Sequence, residues 1–240
     1  MSNHQIVNSA EHAQLRVLAG HGAGLGDGVM ACVTVPYEFR RIQAAFPILF
    51  RRDLSSGAFA AWALFGFEDG ENLFLTGDRW EASYKPLALA IQPFLIGRSE
   101  NEGEAGQVHI DMAHARVTGA GDDGVRLFDE SGQPSPCLEA MAGMLGDLDQ
   151  GYRASGAFFA ALERHQLLEP FSLEVPLADG SRHSLVGFHI IDEERLQALD
   201  GAALDELHRE GHLMPLFMAL ASLSNLGDLV ARKNRRVMGG

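Results

Sequence analysis

Apolar residues run from position 59 to 67 with one glycine among them, and the run stops at Asp69-Gly70. An Asp-Gly pair between apolar runs signals a two-residue hairpin turn. That turn predicts Phe65 opposite Phe74 and Leu64 opposite Leu75. Both faces of such a hairpin are apolar, which predicts a central strand covered on each side. The pattern before it predicts a strand over 29–35, a helix from Pro36 to about Ala45 burying Phe39, Ile42 and Phe46, and a strand over 48–51. After it come a short helix over 86–92 and strands over 94–97 and 107–112, with an acidic loop over 99–106 between those strands.

Ser135-Pro136 is a helix start, a capping hydroxyl followed by proline in the first turn. Leu138, Met141, Leu145, Leu148, Tyr152, Ser155, Phe159 and Leu162 then recur at spacings of three and four, predicting a long helix from Pro136 to Gln166. Gly143, Gly146, Gly151 and Gly156 oppose helix formation at about 1 kcal/mol each against alanine, so a close partner is expected to offset them. The stripe reads first as core lying on a sheet. A seam between subunits, giving a homo-oligomer, is the alternative. A second hairpin over 171–191 turns at Asp179-Gly180. A two-residue turn there predicts Phe171 opposite Phe188, Leu173 opposite Val186 and Val175 opposite Ser184, leaving Glu174, His183, Leu185 and His189 on the outer face. Helices over 202–210 and 215–236 follow. The fold class is α+β: antiparallel hairpins forming a sheet core, covered by the long helix and the C-terminal helices.

Residues 1–28, with five glycines between 20 and 28, read as a flexible lead-in to a single domain over 29–236. The glycines miss the spacing of a dinucleotide loop and precede a strand rather than a helix. A net charge of −13 argues against nucleic-acid binding, which needs a basic face. Cys32 and Cys137 form no disulfide framework or metal-type pair, consistent with a reducing compartment. No signal-peptide pattern is seen, and no apolar run reaches the roughly 18 residues of a spanning helix. The expectation is a cytoplasmic protein without a transmembrane segment, with export to a surface by a non-classical route as the alternative.

Chemistry is sparse. No G-x-S-x-G elbow is present. His109 and Asp111 alternate onto one strand face, the first two ligands of a non-haem iron site, with His114 nearby. Cys137, at a helix start, is the more reactive cysteine candidate. Trp80, Tyr84 and Lys85, with Asn72, are the candidate ligand-binding residues, because amphipathic rings and a cation leaving an apolar hairpin suit a small molecule or peptide. No cofactor or structural metal is expected. Arg232, Lys233, Arg235 and Arg236 place four cations in five residues, which complement a helix C-terminus or meet an anionic partner.

The order of several motifs resembles the bacterial SapC-like family. They are Phe46-Pro47-Ile48, Asp69-Gly70-Glu71-Asn72-Leu73-Phe74, Trp80 with Tyr84 and Pro86, Pro93-Phe94, Phe128-Asp129-Glu130 with Gly132 and Pro134, and Leu168-Glu169-Pro170-Phe171. The Asp179-Gly180 hairpin and the last helix, with Leu223, Asn225 and Leu226, complete the set. The resemblance implies a non-catalytic binding or assembly module associated with surface layers. It transfers no catalytic residue. The alternative is a small-molecule enzyme with a pocket near Trp80 and Tyr84, or with iron at His109 and Asp111.

Overall fold

A computed structural model describes residues 3–97, 106–119, 121 and 123–239. The expected acidic loop lies, except for Gly106, outside the described residues. The architecture is α+β, with antiparallel sheets, a long helix and C-terminal helices. Contacts divide the chain into two compact units. One comprises Met1–Gly28, Leu75–Trp80 and Leu87–Gln150; the other comprises Val29–Phe74, Glu81–Pro86 and Gly151–Gly240.

In the first unit, Gln107–Asp111 pairs with both His4–Ile6 and Phe94–Gly97, and Arg16–Val17 lies between Val117–Thr118 and Val125–Arg126. The stretch expected as a lead-in is therefore built into this unit. Its glycine-rich part folds around a buried charge. The Asp27 carboxylate, fully buried, accepts from Arg116 Nη2 at 2.9 Å and from the Gly22 amide at 3.1 Å. Arg116 Nη1 donates to the carbonyls of Leu18 and Gly20. An unpaired carboxylate at this depth costs several kcal/mol, so the arginine and the loop hold each other in place. Ile91, Phe94, Ile110, Leu127 and Leu145 form this unit's core.

The second unit is organised on a five-stranded antiparallel sheet. Its strands are β1 (Ala31–Thr34), β2 (Ile48–Arg52), β3 (Phe59–Leu64), β4 (Leu168–Pro176) and β5 (Arg182–Ile191), in the order β4-β5-β2-β3-β1. The 59–67 run is central, as its composition predicts: β3 pairs on both edges, and Ala61, Ala63 and Leu64 are fully buried. The partner predicted across Asp69-Gly70 does not form, however. The turn itself closes, with Glu71 N donating to Glu68 O at 3.0 Å. Phe65 O then accepts from Leu73 N instead of pairing with Phe74, and no strand continues. Both edges of β3 are already taken by β1 and β2, so a hairpin mate has no vacant ladder.

The β4–β5 hairpin corrects the predicted register. Phe171 does face Phe188, but Leu173 faces Leu185 and Val175 faces His183. The cause is a three-residue loop, Leu177 N bonding Ser181 O at 2.9 Å, with Gly180 at φ +86. A bulge at Gly187, φ +80, then absorbs the extra residue. Leu185, expected outside, is buried; Val186, expected inside, is 66% exposed.

Pro36–Glu38 is a 3-10 turn leading into α1 (Phe39–Ile42), with Phe39, Ile42 and Phe46 fully buried as expected. The long helix, α2, is Pro136–Arg164. Its stripe drifts: Leu138 and Leu145 are buried, but Tyr152 is 57% exposed and Phe158 is buried instead. A straight helix of 3.6 residues per turn walks off a heptad in this way. Among its glycines Gly151 has the close partner expected, since a Cβ there would sit 2.7 Å from Val35 Cγ2, whereas Gly143, Gly146 and Gly156 face open space. Four helices end the chain: α3 (Glu193–Gln197), α4 (Gly201–Arg209), α5 (Leu213–Ser222) and α6 (Asn225–Gly239). The single helix expected over 215–236 is thus broken at Leu223-Ser224. Leu213–Gly239 contains an 18-residue window of mean hydropathy 1.5, sufficient by length and composition to cross a membrane, and 22% of that window is buried.

Candidate binding cleft

Trp80 belongs to the first unit, where it pairs with Leu75 and its ring lies 6.1 Å from that of His21. Tyr84, Lys85 and Asn72 belong to the second. The Tyr84 hydroxyl donates to Glu38 Oε1 at 2.7 Å, and Thr34 Oγ1 donates to Oε2 at 3.1 Å. Glu38 is 1% exposed, so its charge depends on these donors. Burial, and then the Glu38 bond, hold the Tyr84 phenol far above its ordinary pKa, with Arg41 opposing. Burial, and then Glu38, raise the Cys32 thiol similarly, while Lys85 pulls it down. Cys137, the candidate for reactivity, has its thiol raised by burial. Neither cysteine is prepared as a thiolate.

Asn72 is bonded within its own loop and to α6. Its Oδ1 accepts from Phe74 N at 2.9 Å and its carbonyl from Arg236 Nη1 at 3.2 Å. The same loop engages two more of the tail cations. Lys233 Nζ, nearly buried, donates to Glu71 Oε1 at 2.7 Å and to Glu68 Oε2 at 2.9 Å. Arg232 donates to Glu81 at 3.0 Å and covers the Phe74 ring at 4.4 Å. Arg235 is exposed. Most of the basic tail therefore fastens the 68–74 loop to α6.

His109 and Asp111 share a strand face, but the Asp111 carboxylate accepts from the amides of Asn3 and Ala113, and the His109 ring fills the space beside Gly97. Among the described residues no three of His, Cys, Asp and Glu could hold a metal ion.

A concavity lies elsewhere in the second unit, where β1 stops short of its neighbour. β1 pairs with β3 only as far as Thr34 opposite Ala61. The next bonded position would set Pro36 opposite Phe59. Proline has no N–H to give, and the chain turns away at Val35, whose carbonyl accepts from Glu38 N. β3 continues alone on that edge through Ala60 and Phe59. Above the vacated place, α2 presents Ser155, Gly156 and Ala160, too small to fill it. The result is a cleft of about 270 Å³ lined by Val33, Thr34, Val35, residues 58–61, Tyr152, Ser155, Gly156, Phe159, Ala160 and Glu163.

Phe59 and Glu163 also line a second concavity of about 350 Å³, with Arg52, Leu162, Gln166, Leu168, Pro170 and His189. Arg52 stacks on the Phe59 ring at 4.5 Å and bonds Glu163 Oε1 at 2.8 Å; the His189 ring lies 5.0 Å from that of Phe59. Burial, then Arg52, lower the His189 pKa, and its buried Nδ1 has no partner among the described residues. One lobe is thus walled by carbon and the other carries polar groups.

Sequence reasoning reached Tyr84, which touches this region through Glu38 and Thr34, but missed Phe59, Gly156, Ala160, Arg52, Glu163 and His189. Two signals pointed there: Gly156 and Ala160 one turn apart on a helix otherwise short of reasons for glycine, and a proline ending one strand before its partner ends.

The family model described as SapC matches residues 7–229. No curated protein and no solved structure matches.

Proposed function

The chain belongs to the SapC family, and from that premise we propose that it is a non-catalytic binding module whose ligand places an apolar group in the cleft under α2. The observation that carries this reading is the cleft itself, walled by alanine methyls, glycine and Phe159, with the Arg52–Glu163 pair at one end. Such a site rewards burial of carbon. The surface-layer association implied by the resemblance is compatible with a ligand that is part of a larger assembly. The iron-enzyme alternative has no third ligand among the described residues to support it.

Magnitudes limit what an isolated fragment can do. Burying one leucine- or phenyl-sized group contributes about 1.5–3 kcal/mol. Association costs at least about 4 kcal/mol in lost freedom. Small apolar probes therefore bind weakly, and the physiological ligand gains affinity from more than one contact. Titration with indole, followed by methyl NMR, should shift Ala61 and Ala160 while leaving the exposed Ala115 unmoved. Shifts spread evenly over the protein, or confined elsewhere, would refute the site.

A further inference from the structure

We infer that the ligand of this cleft is an extended peptide segment, which enters as the missing continuation of β1 and pairs its backbone with Phe59. This rests on the binding reading above and names the ligand's chemistry. The argument begins with hydrogen-bond alternation in an antiparallel ladder. Toward β2, Ala58 O accepts from Asp53 N at 2.9 Å and Leu64 N donates to Pro47 O at 3.0 Å. Even-numbered residues of this run therefore bond in that direction. Toward β1, Phe65 N donates to Met30 O at 2.7 Å, so Ala63, Ala61 and Phe59 direct their N–H and C=O that way.

Ala63 and Ala61 meet Cys32 and Thr34. Phe59 would meet Pro36, which has left the sheet. Phe59 faces Arg52 at a position where the β2 ladder bonds through its even-numbered neighbours, which directs its amide and carbonyl to the edge that β1 has left. An open donor and acceptor beside an apolar cleft is the arrangement that strand addition uses, the main chain supplying affinity and alternate side chains specificity.

The faces agree. Residues paired across a sheet share a face, and Phe59 shares its face with Ala61 and, across the ladder, Phe50 and Thr34. The Phe50 ring lies 6.1 Å from Phe159 of α2, so this is the face the helix covers. A peptide residue bonded to Phe59 consequently sends its side chain under Gly156 and Ala160. A purely hydrocarbon ligand would leave the Phe59 groups unused.

The test uses the full chain and acetyl-Val-Leu-Val-methylamide, compared with the same peptide N-methylated at leucine. The inference expects the first to shift the cleft methyls and to slow exchange of the Phe59 amide, and N-methylation to weaken binding about fivefold, the factor for one hydrogen bond of ordinary net strength. Equal binding of the two peptides with unchanged Phe59 exchange would overturn the inference but leave the apolar cleft standing. Failure of both the peptide and indole to move the cleft methyls would remove the binding reading as well.

Discussion

At the scale of single residues, Lys233 shows how strongly one side chain is committed. Its ammonium is 7% exposed and held by Glu71, whose own side chain is 10% exposed, and by Glu68. Removing one partner of a buried pair leaves the other charge uncompensated, at about 3–5 kcal/mol. Lys233→Met should therefore lower stability by roughly that amount in denaturant titration, whereas Arg235→Ala, at an exposed position, should stay within about 0.5 kcal/mol. Equal effects would show that the loop is not fastened through Lys233. Sequence reading saw four cations together but could not see that three of them bond residues of a much earlier segment. Their partners lie about 160 positions earlier in the chain, and charge spacing on a helix carries no information about such distant loops.

Among the elements, the β4–β5 hairpin is the clearest test of register. Leu185→Asp places an unpaired carboxylate in the core and should cost several kcal/mol, while Val186→Asp should be close to neutral. Thermal melts ranking them the other way would restore the two-residue turn. The alternation of apolar residues made this hairpin legible from the sequence, and Phe171 opposite Phe188 follows from it. The bulge at Gly187 was not legible, because a glycine in a strand announces an irregularity without stating which residue it displaces. The same limit applies to the 59–67 run. Its two apolar faces foretold a central strand, yet pairing partners are a tertiary choice, and β1 with β2 took both edges. The α2 stripe was legible as core: Leu145 is 2% exposed within a single chain, so Leu145→Glu should unfold the protein rather than split an oligomer. Circular dichroism with sedimentation distinguishes the two, and a folded, smaller species would contradict the core assignment. The cleft escaped notice because it is a product of absence, a strand ending early beneath a helix with small side chains, and apolar patterning records only what is present.

For the molecule as a whole, the loop-to-helix charge network sets a pH window. Hydrogen bonding by Lys233 lowers the Glu68 pKa below its ordinary 4.5, so this contribution to stability is present above 4.5 and is lost as pH falls through the folded value. Burial alone would lower the Lys233 pKa, but Glu71 and Glu68 outweigh it and hold it above 10.5. Its contribution is intact below 10.5 and lost as pH rises through the folded value. His114, His189 and His212, held below 6.5, add a loss as pH falls under 6.5, and the raised Cys32 and Tyr84 add losses above 9.0 and 10.0, so Lys233→Met should lessen the alkaline loss rather than abolish it. A mutant whose alkaline limb matched the wild type would show that another group controls it.

The central claim, that the cleft under α2 is a binding site, is tested most directly at Gly156. This residue is exposed, lies inside a helix, and has no atom within 4 Å of where its Cβ would stand. Leucine there improves helix propensity by somewhat under 1 kcal/mol and fills the cleft. Indole titration of Gly156→Leu, alongside its melting curve, therefore separates stability from function. The account predicts a melting temperature at or above that of the wild type together with loss of the indole-induced shifts at Ala61 and Ala160. A stable variant that binds indole as the wild type does would contradict it.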